Sequence, residues 1–459
     1  MPVKPRITAL SATSVEILNA IRNSATQNYQ NFIPIATPKT ESIKEIGAII
    51  MQYPTLQNEF LNALVNRIGR VIVTSKMYDN PWMMFKKGML EFGETIEDIF
   101  VNIAKPFQYD PAVAETTLFK REIPDVRSTF HIMNYQKYYK STVSNDQLRQ
   151  AFLTWQGITD LIAKIVDAMY TGANYDEFLT MKYMLAKHII NGHLYPVTIP
   201  AATAENAREI AADIKGVSNK FEFLSSDYNL AGVQTHSVKN DQFMIVNSIF
   251  DAVMDVNVLA TSFNMDKAEF LGHRVMINSF GLTTGENDRL ALLFADDPTY
   301  VAITPDESTA LNAIPAVLID RDWFMVFDNF NNFTEQYNGE GLYWNYWYHV
   351  WKTFSVSPFA NSAVFVPTAA GVTSVTLSPE TATVNAGQNA LFSATVVTTG
   401  FAPKAVDWSI TGNVDENTRI DNSGNLFVSA DESAATITVK ATSVFDSTKT
   451  GTATVTVNS

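Results

Sequence analysis

Leu342-Tyr-Trp-Asn-Tyr-Trp-Tyr-His-Val-Trp351, read as a strand, sends Trp344, Tyr346 and Tyr348 to one face and Tyr343, Trp347 and Trp351 to the other. A sugar-binding platform would need one exposed aromatic face over one buried face. Both faces here are aromatic, which predicts a strand buried on both sides or held at a subunit contact. Upstream, Ala316-Val-Leu-Ile319 and Trp323-Phe-Met-Val-Phe327 flank Asp320-Arg-Asp322 and read as a hairpin, while Asn361-Ser-Ala-Val-Phe-Val366 follows as a further strand.

Further out, residues 197–365 alternate helices and strands. Ala204 to Gly216 and Ile249 to Phe263 carry helical spacing, and Gln242-Phe-Met-Ile-Val-Asn247 and Arg274-Val-Met-Ile-Asn278 read as strands. Before them, Asn145 to Tyr170 is helical with Ser144 or Asn145 as cap. A break at Gly172-Ala-Asn174 is expected to start a second helix over about 175–191, with Asp176 and Glu177 in its first turn, Phe178, Met181, Met184, Leu185 and Ile189 on one face, and Gly192 as stop. Pro54 to Gly69 is a further helix, followed by a strand at Arg70 to Thr74.

Two segments lack an evident core. Residues 1–45 hold one short helical pattern (Ser14 to Ile21, capped by Thr13 or Ser14), and Ser24 to Lys39, broken by Pro34 and Pro38, reads as an extended arm. Residues 79–130 are punctuated by Pro and Gly, with Thr95 to Ile103 and Thr117 to Ile123 as the strands of a long hairpin. So much connecting chain is unusual in a compact domain, so arm and hairpin are expected to become ordered by lying on sister copies.

At 367–373 the composition shifts. Beyond this linker Thr, Val, Ala and Ser dominate, and six period-two strands (375–379, 390–396, 406–410, 424–428, 435–441, 451–457) predict an all-β sandwich of immunoglobulin size over 374–459, with Trp408 between its sheets.

The chain has 459 residues, 46% hydrophobic and 12% aromatic, enough for two or three domains with cores. Charged residues are 17%, which suits either a large core or a surface buried against copies of itself. The net charge of −14, with no Lys/Arg run beyond Lys86-Lys87 and Lys120-Arg121, argues against a nucleic-acid reader and suits a container that must not stick to DNA. The absence of cysteine removes disulfides, thiolate metal sites and Cys nucleophiles, and fits synthesis in a reducing cytoplasm. Met1 to Ile17 shows no apolar signal core, and no apolar run is long enough for a membrane span.

Catalytic patterns are weak. The histidines at 131, 188, 193, 236, 273 and 349 show no metal-ligand spacing, and His188 and His193, five apart across a helix end, are not expected to share a face. Gly281-Leu-Thr-Thr-Gly285 lacks the Gly-Lys-Ser/Thr ending of a phosphate loop. Adjacent acids (Glu97/Asp98, Asp296/Asp297, Asp431/Glu432) point to opposite strand faces and read as solvated surface. No catalytic residue, metal or cofactor is expected.

Several segments resemble the major capsid proteins of phi-twenty-nine-like podoviruses. They are Asn19-Ala-Ile-Arg-Asn-Ser24, Asn80-Pro81 with Phe85-Lys-Lys-Gly88, Gly93-x-Thr-Ile-Glu-Asp-Ile99 and Phe263-Asn-Met265 through Phe270-Leu-Gly272. Asp322-Trp-Phe-Met-Val-Phe-Asp-Asn329 and Gly341-Leu-Tyr-Trp-Asn-Tyr-x-Tyr-His-Val-Trp351, followed by Ser355-Val-Ser-x-Phe-Ala-Asn361, extend the likeness in the same order. Val375-x-Leu-Ser-Pro379, Trp408 and Gly424-x-Leu426 resemble bacterial immunoglobulin-like group 2 domains, which the capsid family also carries as an appendage.

The resemblance implies an α+β chain of the Hong Kong 97 capsid fold. Residues 1–45 would be the N-terminal arm, and 46–366 the capsid domain. Within it, 79–130 would be the extended loop, 145–191 the peripheral and spine helices, and 197–340 the axial domain. Lys86, Lys87, Gly88, Gly93 and Glu97 would then be assembly-loop residues. It implies self-assembly into hexamers and pentamers of a virion shell around double-stranded DNA, with a scaffolding protein and a portal as partners, no membrane and no enzymatic step. The immunoglobulin-like module is a candidate for host-surface contact. The rival reading is a surface adhesin or carbohydrate-binding protein that uses this module.

Overall fold

The computed structural model of the chain describes residues 14–53, 56, 77–90, 95–110, 119–144, 155–255, 273–341 and 343–458. The helix expected at 54–69 (apart from Leu56), the strand at 70–74, and the expected starts of the helices at 13 and 145 lie outside these residues, as does Gly93.

The chain divides into two compact units. The first comprises residues up to 77, 140–169 and 335–346. Its N-terminal part holds α1 (Ser14–Ser24), α2 (Gln27–Phe32) and α3 (Thr40–Gln52). Residues 24–39 are therefore not the extended arm that the sequence suggested. Thr26 caps α2 by accepting from Tyr29 N at 3.3 Å. Asn19 clasps Ala36 through both its amide atoms, at 2.9 and 2.7 Å. These bonds turn the chain back, so that Ile21, Tyr29, Ile33, Ala36, Ile46 and Leu56 bury one another in a small core.

The second unit comprises 78–139, 170–334 and 347–459. Its centre is a five-stranded sheet of β5 (Tyr195–Thr198), β11 (Ser362–Val366), β8 (Ala316–Asp320), β6 (Gln242–Asn247) and β7 (Arg274–Ile277), in that order. The inner strands are near-continuous apolar runs because both faces are covered. Ile245, Val317, Ile319 and Val364 face one core, and Met244, Val246, Leu318 and Phe365 face a second. That second core is closed by α5 (Ala207–Lys220) and α6 (Ser248–Met254). The first is closed by α4 (Trp155–Ile190) and α7 (Thr284–Leu293), the latter started by a Thr283–Glu286 capping box. A second capping box, Thr304–Glu307, starts α8 (Pro305–Asn312).

α4 differs from expectation. It runs unbroken through Gly172-Ala-Asn174, because the site is packed: Gly172 lies against Tyr139, and Asn174 donates to Tyr78 O at 3.0 Å. Local propensity lost to burial. Asp176 and Glu177 are thus mid-helix and buried.

A four-stranded sheet orders β1 (Lys86–Met89), β9 (Phe324–Asn338), β10 (Tyr343–Val356) and β4 (Tyr135–Ser144). The aromatic block lies in β10. Tyr346 is buried and the other rings are half-buried and contact others: Trp351 meets Phe330 at 4.7 Å, and Tyr348 meets Tyr170 at 4.5 Å. The expected β8–β9 hairpin does not form. The turn at Asp320 to Asp322 instead hands the chain from one sheet to the other.

Residues 371–458 form an all-β region with nine strands, β12 (Gly371–Ser378), β13 (Thr381–Asn385), β14 (Asn389–Leu391), β15 (Ser393–Thr399), β16 (Val406–Thr411), β17 (Arg419–Ile420), β18 (Asn425–Phe427), β19 (Thr436–Ser443) and β20 (Thr450–Asn458). Six were expected; β13 and β17 were missed, and 390–396 splits at the buried Phe392. The linker is shorter than 367–373, since β12 begins at Gly371 and Val372 is buried. The core is Val375, Leu377, Phe392, Val396, Leu426, Ile437, Val439, Val455 and their neighbours. Trp408 is only half-buried at its margin, contrary to expectation. Its indole runs under Gly424 (φ +81), where an added Cβ would fall 2.8 Å from Trp408 Cζ2 and 2.3 Å from Phe392 O.

Candidate assembly surface

The hairpin predicted within 79–130 exists with a different second strand. β2 (Thr95–Val101) pairs antiparallel with β3 (Val126–Ile132), not with 117–123, in a register from Thr95↔Ile132 to Val101↔Val126. Asn102 N donates to Asp125 O at 2.8 Å and extends the ladder. Pro124 has no N–H to give a ladder, which is why pairing starts after it.

Strand alternation separates the two faces. Phe100 turns inward and stacks on Phe359 at 5.5 Å. Ser357 Oγ donates to Asp98 at 2.6 Å, and His131 Nδ1 shares a hydrogen bond of 2.7 Å with Ser355 Oγ. Burial pushes the His131 imidazole below its usual range, against the pull of Asp98. Hence the hairpin is seated on its own subunit by its polar face, and Asp98 is no solvated acid. The outward face inverts the usual polarity: Ile99, Val101, Val126, Phe130 and Ile132 are all more than half exposed, at 51% to 62%. Toward the loop end, Phe119 and Ile123 are about 90% exposed. An exposed face so rich in apolar side chains, with Glu97 and Ser128 among them, is a candidate interaction surface.

The root of the loop is pinned by charge. Glu177 accepts from Asn80 Nδ2 at 2.6 Å and from Lys86 at 3.0 Å, and also pairs with Lys352. Asp328 pairs with Lys86 at 2.7 Å and with Lys352 at 2.5 Å. Two cations and two anions close a neutral quartet beside the buried Trp82 and Phe85. Burial pulls the Lys86 ammonium down, but Glu177 and Asp328 together hold it above its usual value. Burial pushes Asp328 up, but Lys352 and Lys86 outweigh this and hold it below. In the same way Asp176 takes Arg289 Nη2 at 3.0 Å and Tyr139 Oη at 2.7 Å, and Lys182 meets Glu286 at 2.9 Å.

Lys86 therefore faces inward. Lys87 bonds Asp322 and the Arg321 carbonyl, also within the subunit. Gly88 takes φ +101, which a side chain would strain. Among the described residues of that set, Glu97 stands on the outward face of the hairpin. A helix start at 175 hides the role of Glu177, and nothing in the spacing of β9 marks Asp328. In an unbroken helix, Glu177 falls at i, i+4, i+8 with Met181 and Leu185, a charge on an apolar stripe.

Another acid and one histidine pair also depart from expectation. Glu432 is buried, bonded by Thr418 Oγ1 at 2.7 Å and Ala434 N at 2.9 Å; its donors outweigh burial and hold it at about 2. His188 and His193 do meet, Nδ1 to Nδ1 at 2.9 Å. Among the described residues, no His, Cys, Asp and Glu group could hold a metal ion, and no helix is long and apolar enough to cross a membrane.

Residues 18–366 match the family described as Phi29-like phage major capsid protein. The chain is similar to the major capsid protein of Bacillus phage B103 (37% identity, covering 95% of this chain and 91% of that protein) and to that of Bacillus phage PZA (36%, the same coverage). A chain in the capsid structure of Staphylococcus phage Andhra aligns with TM-score 0.52 at 16% identity, over 65% of this chain and 87% of that one. That likeness shows the fold, a phage capsid fold of the Hong Kong 97 type. The adhesin reading finds no support in any of these. The chain belongs to the Phi29-like phage major capsid proteins, a structural subunit of the virion's capsid shell and not an enzyme.

Proposed function

We propose that the chain closes the head through hexamers and pentamers in which the β2–β3 hairpin lies across the adjacent copy. The observation that carries this reading is the outward apolar face of Ile99, Val101, Val126, Phe130 and Ile132 on a hairpin whose other face is seated on its own subunit through Asp98, Phe100 and His131. Burying such a face gains about 25 cal/mol per Å² removed from water. One set of surfaces then serves both five- and six-fold rings. Glu97 and the loop around Gly88 and Gly93 belong to this contact, while Lys86 and Lys87 position it.

Cutting out all of 79–130 would strip Trp82 and Phe85 from the core, so a narrower change is the test. The double variant Ile99→Asp, Phe130→Asp should leave the subunit folded, with an unchanged far-ultraviolet circular dichroism melt, and abolish shells in negative-stain images. Normal heads from that variant would overturn the role of the hairpin.

Residues 371–458 are an immunoglobulin-like sandwich in this reading, supported by period-two strands around one core. Residues 145–191 and 197–340 are its peripheral and axial parts, and the N-terminal helices replace a simple arm. The head encloses double-stranded DNA without reading it, which suits a net charge of −14. Scaffolding and portal proteins are its partners during assembly in the host cytoplasm, and the C-terminal module is free for host-surface contact.

A further inference from the structure

α4 ends in a reversal. Gly192 takes φ +71, with Gly192 N donating to Ile189 O and His193 N to His188 O, each at 2.9 Å. This turn carries His193 back onto His188. Their rings lie 4.9 Å apart, and His188 meets the buried Trp323 edge-on at 5.6 Å. The loop joining β15 to β16 sits on the same turn. Ala402 is fully buried there, and a Cβ on Gly192 would fall 2.4 Å from its carbonyl oxygen. Phe401 packs into the main core, and Lys404 Nζ donates to Ile190 O at 3.1 Å.

From this geometry we propose that the His188–His193 pair is a proton-sensitive latch, which holds the C-terminal β region against the main fold and lets it go in acid. In an Nδ1-to-Nδ1 hydrogen bond one ring donates and the other accepts. Protonating both rings leaves two donors face to face. Lys404 of the docked loop already holds the helix-end carbonyl, so the new charge arrives beside a cation. Lys187 on α4, Glu307 on α8 and Asp297 line the cleft of about 610 Å³ that His188 and Lys404 share. Burial, then His193, lowers the His188 imidazole to about 4. Burial, then Lys404, lowers His193. Docking is therefore at full strength above an unperturbed imidazole value of about 6.5 and weakens as pH falls from there toward the docked values.

Hydrogen–deuterium exchange of the full-length unassembled chain tests this at pH 7.5 and pH 5, with intrinsic rates corrected. Residues 188–193, 367–370 and 400–404 should exchange on the order of tenfold faster in acid, with the five-stranded sheet unchanged. The double variant His188→Gln, His193→Gln should lose that acid response. Equal protection at both pH values, or a response that persists in the variant, would overturn the latch. Should the variant not fold, proton NMR of the wild-type imidazoles decides instead: the latch requires the His188 and His193 rings both to titrate below the ordinary imidazole value, and ordinary titration of either ring would refute it.

Discussion

Glu177 carries three polar contacts inside an apolar shell, from Asn80, Lys86 and Lys352. Removing it leaves two lysines sharing Asp328 and the Asn80 amide with only the Met181 sulfur, at 3.6 Å, as acceptor. Glu177→Ala should cost about 3–5 kcal/mol in urea unfolding of the unassembled subunit; a loss under about 1 kcal/mol would mean that the quartet is solvated. The same cluster sets a pH window. Asp328 lies below its usual 3.8, so its contribution is present above that value and is lost as pH falls through the lower folded one. Lys86 lies above 10.5, so its contribution is present below that value and is lost as pH rises through the higher folded one. Unfolding free energy should therefore lose this contribution only at the two extremes, and Asp328→Asn should shrink the acid limb, which Glu432 also feeds. An acid limb of unchanged size in that variant would assign it to other groups.

At the scale of elements, α4 shows packing overriding a break signal. Gly172 has an ordinary helical backbone, and an added Cβ would meet Tyr139 at 3.5 Å, a normal contact. Gly172→Ala should then stabilise the subunit by about 0.5–1 kcal/mol, read from the denaturation midpoint. A lower midpoint would show that the helix needs glycine there. The hairpin displays the opposite case. The alternation of β2 is legible and the place of β3 is not, and which face goes inward is a tertiary fact, because Asp98 and His131 find Ser357 and Ser355 only once β10 and the turn after it are in place.

Across the whole molecule, the all-β region has a core made only of its own residues. Phe392→Ala, at a site 1% exposed, should cost about 3–5 kcal/mol. In calorimetry it should lower one transition and leave that of the five-stranded sheet in place, while Trp408→Ala, half-buried, should shift the same transition less. Coincident shifts of both transitions would deny the region its autonomy. Local pattern alone gives β11, β8, β6 and β7 of the central sheet but not β5, together with the long helical stretch, the β character of 371–458 and, through its motifs, the family. Period and apolar continuity are local properties that survive in one dimension. That 172–174 stays helical, that β8 and β9 part company, that Lys86 faces inward and that His188 meets His193 emerges only in the folded chain. Each of these depends on which distant groups arrive to bury or neutralise a residue, and spacing along the chain does not contain that.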